Sequence, residues 1–247
     1  MRRVLFQCGG IKIHGYTAML YLGVVFGVIG GTYGATLHGL DSARVFAALL
    51  LLVLPALAGA RFLFVASYWK IYRREPSRIW RRSDGGAALY GGLLVSFLVS
   101  LPMLGALGIP LGAFWDVATI TILVGMVFTK VGCLLNGCCA GHPTEGRLAL
   151  YLPNAQGVRC RRVPSQLLEA GLAALLLLGS VEVWNRLPFD GALFLSALAA
   201  YGAGRWGLES TRETIDRIGR VSLHRAISAA LVGISATSFL VIWFLRL

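Results

Sequence analysis

The chain has 247 residues, of which 57% are hydrophobic and only 14% charged, and its net charge is +12. So few polar side chains cannot coat a soluble domain of this length. The composition therefore excludes a water-soluble globular protein and makes lipid the main solvent.

Lys12 interrupts the N-terminal segment before an apolar run can form, so no cleavable signal peptide is expected. A transmembrane helix needs about 20 mainly apolar residues. Such runs predict spans over 15–37, 45–69, 87–109, 113–139, 164–184, 189–209 and 223–245. The expected fold is an all-α integral membrane protein with about seven transmembrane helices, built as one domain over 1–247. Gly85 to Trp115 carries no charge, enough for one span and a tight turn at Gly108-Ile109-Pro110. Residues 141–163 alternate Leu148, Leu150 and Leu152 ahead of Pro153-Asn154, which predicts a small hairpin arm. Its basic end, Arg159, Arg161 and Arg162, suits either recruitment of anionic lipid or an ordinary solvated loop.

Of the 31 glycines, those within spans, such as Gly23, Gly27, Gly30, Gly31, Gly91, Gly92 and Gly105, are expected to let helix backbones approach closely. Gly85-Gly86, Gly91-Gly92 and Gly202-Ala203-Gly204 also suit the approach of a ligand. Ionisable groups inside spans are expensive and point to function; here they are Arg61, Asp116, Lys130, Glu169, Glu182, Arg205 and Glu209. Asp116 and Glu182 lie near span ends, where solvated interface positions are expected. Arg205 and Glu209 stand four apart on one helix face and are expected to pair. With Arg212 and Glu213 a turn further on, they read either as a structural ion-pair ladder or as a guanidinium fork facing a lipid phosphate.

Among the five cysteines, Cys133, Cys138 and Cys139 follow Lys130 at the end of the fourth span. Their spacing lacks the paired C-x-x-C of a zinc or redox site, and adjacent Cys138 and Cys139 are poorly placed to chelate one ion. Buried, inert thiols are expected, with no metal and no cofactor.

Several stretches, in order along the whole chain, resemble the prolipoprotein diacylglyceryl transferases. They are Ile13-His14-Gly15-Tyr16; Gly59-Ala60-Arg61; Gly85-Gly86-Ala87-Ala88-Leu89-Tyr90-Gly91-Gly92-Leu93-Leu94; Lys130 through Cys133 to Asn136-Gly137; Pro164-Ser165-Gln166-Leu167-Leu168-Glu169; and Tyr201 through Arg205 to Glu209 and Arg212. The resemblance implies a multi-pass enzyme of the bacterial inner membrane. Such an enzyme moves diacylglyceryl from phosphatidylglycerol, an anionic phospholipid, onto the cysteine of a prolipoprotein; lipid, membrane and acceptor are then the partners, with no nucleic acid. Three positions depart from the family pattern: Tyr90 stands where a histidine is usual, Lys130 where an arginine is usual, and Cys133 where an asparagine is usual. A tyrosine of ordinary pKa, about 10, is a poor base at neutral pH, and lysine lacks an arginine's fork.

The chemistry implied is substitution at a glycerol carbon with a phosphate-bearing leaving group, which needs cations at the departing phosphate and a proton acceptor near the nucleophile. The expected catalytic residues are Arg205, Lys130, Glu169 and Tyr90, with Glu169 or Tyr90 as proton acceptor. Substrate binding is expected from Tyr16, Arg61, Gly91, Gly92, Asn136, Gly141, Tyr201, Glu209 and Arg212. A family member with another acceptor and a non-enzymatic lipid-binding or transport protein stand as alternatives; transport predicts interrupted repeats, and the sequence contains none. Sixteen of the 23 Lys and Arg fall on the face that holds the N-terminus in a seven-span arrangement, against three on the other. The positive-inside rule makes that face cytoplasmic, whereas the family resemblance makes it periplasmic.

Overall fold

The computed structural model describes residues 4–8, 11–80, 89–154, 156–213, 217–218 and 221–246. Seven long helices occupy these residues: α1 Gly15–Leu37, α2 Ser42–Ser67, α4 Leu89–Leu107, α5 Leu111–Asn136, α6 Ser165–Val183, α7 Ala192–Leu208 and α8 Leu223–Phe244, with a short α3 at Trp69–Tyr72. Six helical stretches are long and apolar enough to cross a membrane, and α7, at 17 residues, is the shortest of the seven. The chain is a multi-pass membrane protein. Each predicted span contains one helix, and the ends differ by a few residues for local reasons. Gly137, with φ 80, ends α5, and its amide bonds back to the Cys133 carbonyl at 2.9 Å, the left-handed stop that glycine provides. Gly191, with φ 97, delays the start of α7 to Ala192. The paired Gly85-Gly86, just ahead of the third predicted span, lies outside the described residues.

The chain divides into two compact units, Ala35–Phe114 and Met1–Gly34 with Trp115–Leu247. In the first unit, Asp41 caps α2 by accepting from the Ala43 and Arg44 amides at 3.0 and 3.1 Å. α2 and α4 then pack backbone to backbone. A Cβ on Gly59 would overlap the Gly91 carbonyl oxygen, one on Gly91 would overlap that of Gly59, and one on Gly92 would stand 2.8 Å from the Ala56 carbonyl oxygen. In lipid, where apolar side chains gain little by meeting one another, such close approach holds helices together.

In the second unit, the antiparallel hairpin of β1 (Val4–Cys8) and β2 (Ile11–His14) feeds α1. α1 crosses α5 through small residues: a Cβ on Gly27 would stand 2.7 Å from the Thr121 carbonyl oxygen, and one on Gly132 3.0 Å from the Met19 Cβ. α7 packs on α6 at Gly204 and on α8 at Gly202. Asp116 is buried, contrary to the solvated position expected for it. Its carboxylate accepts from the Gly191 and Phe194 amides at 2.7 and 2.9 Å, so it serves the orphan donors at the start of α7. Glu182 is exposed and pairs with Arg186.

The predicted arm is the two-stranded hairpin of β3 (Leu150–Pro153) and β4 (Arg159–Arg162), closed by Asn154, whose Oδ1 accepts from the Gln156 and Val158 amides. Arg162 is neither a lipid recruiter nor a solvated loop residue: it is 2% exposed and pairs with Glu213 at 2.7 Å. The segment after α5 runs between this hairpin and the end of α7, bridging Pro143 to Arg162 and Gly141 to Arg212.

Candidate active site

The C-terminal end of α5, the start of α6 and the segment after α7 converge in the second unit. Backbone bonds from His142 to Thr211, Val163 to His142 and Glu213 to Ala140, each near 3 Å, hold these three pieces in register, and Ser165 Oγ donates to the Thr211 carbonyl at 2.9 Å. Gly141 is required here, because a Cβ would overlap the Val163 carbonyl. The close approach expected at Gly141 is therefore made by the chain itself. The same holds at Gly91 and Gly92, whose open sides are filled by α2.

This scaffold places a carboxylate between two cations. Glu169, 2% exposed on the first turns of α6, accepts from Arg212 Nε at 3.0 Å and Nη2 at 2.7 Å through Oε1, and its Oε2 is ion-paired with Lys130 Nζ. Each oxygen therefore faces a cation. Burial alone would lower the pKa of Arg212, but the Glu169 carboxylate facing it holds the guanidinium above its ordinary value. Arg212 thus turns to Glu169 rather than extending a ridge with Arg205.

At the end of α7, Arg205 and the C-capping residue Glu209 pair as expected, at 2.6 Å, both nearly inaccessible. Ser222 Oγ donates to Glu209 Oε1 at 2.8 Å, so one oxygen of Glu209 is held from the start of α8 and the other by Arg205. Arg205 also acts through space on Glu169. Its Nη1 is buried with no hydrogen-bond partner among the described residues. Together Lys130, Arg205 and Arg212 face Glu169 and Glu209, an excess of one positive charge in a buried site.

Around this cluster stand Tyr16, in the first turn of α1 with its ring against Gly132, and Asn136, the last residue of α5. Tyr201 is buried on α7, one helical turn before Arg205. The sequence reading did not single out Gln166. Its Nε2 donates to the Cys138 carbonyl at 2.8 Å, and its buried Oε1 has no partner among the described residues. Its position three residues before Glu169, on the same helix face, was the available signal. The remaining expected residues belong to the other unit. Tyr90 opens α4 beside Gly91 and Gly92, and Arg61 Nε donates to the Ile79 carbonyl at 3.0 Å, its guanidinium over the Phe64 and Tyr72 rings.

A multi-pass protein with a buried cationic excess at one end of its helices fits the family suggested by the motifs. The family model for prolipoprotein diacylglyceryl transferase matches residues 3–243. The chain belongs to this family. Similar curated proteins include the phosphatidylglycerol–prolipoprotein diacylglyceryl transferase 2 of Clostridium perfringens, 28% identical over 92% of this chain and 90% of its own length. The phosphatidylglycerol–prolipoprotein diacylglyceryl transferase of Streptococcus pyogenes serotype M5 is 26% identical over 93% of this chain and 90% of its own length. The family match runs across both compact units, so the α2–α4 pair is as much part of the diacylglyceryl transferase pattern as the charged cluster.

Proposed function

We propose that this chain transfers the diacylglyceryl group of phosphatidylglycerol to the cysteine thiol of a prolipoprotein, at the bacterial inner membrane and with residues 1–247 acting as one transferase domain. The family supports the reaction class, and the buried cationic excess with an orphaned Arg205 Nη1 carries the assignment of the site. An unpaired guanidinium nitrogen in a low-dielectric site is a strong donor waiting for an anion, and a phospholipid phosphate supplies one.

In this reading the acceptor thiol releases its proton to solvent, its sulfur attacks a glyceryl carbon, the C–O bond to phosphate breaks, and glycerol phosphate departs with the electron pair. Arg205, Arg212 and Lys130 stabilise the charge gathering on that phosphate. Glu209, held by Ser222, aims Arg205; Glu169 aims Lys130 and Arg212. Glu169 is thereby a positioning residue, and the role of proton acceptor passes from it. Tyr16, Asn136, Gln166 and Tyr201 line the headgroup position. Gly91, Gly92 and Gly141 serve by packing. The cluster faces the periplasm, against the charge bias of the loops.

The test incubates the purified protein in phosphatidylglycerol nanodiscs with a lipobox peptide. A peptide mass increase of one diacylglyceryl group, with glycerol phosphate released, is expected. Lipid consumption without peptide labelling would show another acceptor, and an unchanged rate in Arg205→Ala would remove Arg205 from the site.

A further inference from the structure

The acceptor in the proposed transfer must react as a thiolate, yet both Glu169 oxygens are held by cations. Beside Lys130, the chain gathers Cys133, Cys138 and Cys139 so that their three Sγ atoms lie within 4.8 Å of one another. Three sulfurs at about 2.3 Å from a tetrahedral zinc ion stand about 3.8 Å apart, so shifts of about an ångström close them round one ion. The sequence spacing gave no sign of this, since adjacent residues in extended backbone point to opposite sides.

The convergence is built in by the backbone. Cys139 sits at φ 57, the one non-glycine residue with positive φ among the described residues, just after Gly137 at φ 80. An L residue holds that conformation rarely, and persistent cases concentrate at functional sites. Independent fixings surround the trio. Gln166 Nε2 donates to the Cys138 carbonyl at 2.8 Å, Cys138 Sγ donates to the Cys133 carbonyl at 3.7 Å, and the Gln166 Oε1 is buried without a partner among the described residues.

We propose that Cys133, Cys138 and Cys139 form a zinc site whose fourth position binds and deprotonates the acceptor cysteine, an inference that rests on the transfer reading above. Three protein ligands with one open position is the pattern of catalytic rather than structural zinc, and a thiol that coordinates such an ion gives up its proton outright. Three thiolates and Zn(II) carry one net negative charge, and the cationic excess of the cluster that includes Lys130, three residues before Cys133 on α5, offsets it. The acceptor thiol displaces a bound water and its proton passes to solvent. A sulfur lone pair then forms the C–S bond at the glyceryl carbon, and the C–O bond breaks with its pair leaving on glycerol phosphate. The product thioether carries no charge and leaves the ion. Nothing is oxidised or reduced.

The test uses the full chain in phosphatidylglycerol nanodiscs, with zinc measured by elemental analysis and cobalt(II) exchanged in as an absorbing reporter. About one ion per chain is expected, with thiolate-to-cobalt charge-transfer bands that grow when a lipobox peptide is added and do not respond to its Cys→Ser version. Cys139→Gly removes one thiol while suiting the left-handed backbone. It should keep the fold, weaken ion binding at least tenfold and abolish the peptide response. A folded wild-type chain that binds no stoichiometric zinc or cobalt overturns the proposal, as do bands indifferent to the peptide or wild-type transfer by Cys139→Gly. Peptide-responsive bands without consumption of phosphatidylglycerol leave the zinc site standing and sink the lipid-donor reading instead.

Discussion

Within the unit Ala35–Phe114, α2 and α4 meet through bare backbone at Gly59, Gly91 and Gly92. In the other unit the ends of α5 and α6 and the segment after α7 meet through Lys130, Glu169 and Arg212, with Arg205 and Glu209 buried at the end of α7. Close approach of small residues is an inexpensive way to join helices in lipid. Buried ions are an expensive one, since desolvation can exceed the Coulombic gain. The charged unit also packs through small residues, at Gly27, Gly132, Gly202 and Gly204, so a protein that adds the expensive device there retains the charges for something besides holding helices together.

Substitutions separate the two devices. The largest effect is expected at Arg205→Lys, which keeps the charge beside Glu209 but removes the fork; lipid transfer per folded molecule should fall about 100-fold or more, the scale for losing one preorganised donor, with the melting temperature little changed. Glu169→Gln leaves two largely buried cations without their shared partner and should destabilise by about 3 kcal/mol, read from detergent unfolding curves, with a further loss of transfer in the folded fraction. Gly59→Ala overlaps the Gly91 carbonyl and should destabilise by about 1–3 kcal/mol, the range for overpacking, while each folded molecule transfers lipid at the normal rate. A selective loss of rate there would mean that the glycine contact belongs to the chemistry. The smallest effect belongs to Asp116→Ala, which strips the start of α7 of its acceptor for about 1 kcal/mol and leaves transfer unchanged.

The helices were legible because lipid demands continuous apolar runs: five of the seven fell inside their predicted spans, and α2 and α5 begin three and two residues before theirs. The β3–β4 hairpin was legible from its alternating leucines and Pro153-Asn154, and the Arg205–Glu209 pair from i, i+4 spacing. Partners distant in sequence were not. Arg212 and Glu169 are 43 residues apart, and the amides that bury Asp116 lie 75 and 78 residues on. Nor does any sequence rule announce a positive φ at a cysteine, so the meeting of Cys138 with Cys139 was hidden in one dihedral angle.

The length of α7 bears on the substrate itself. Seventeen residues rising at about 1.5 Å each span about 26 Å, short of the ~30 Å hydrocarbon layer of a typical bilayer. A leaflet beside a short helix thins to match it. A phospholipid resting against α7 therefore carries its phosphate deeper than its neighbours do, toward the level where Arg205 is buried near the helix end. Acyl-chain length then becomes a variable of the reaction, with thinner membranes delivering the donor more readily than thick ones.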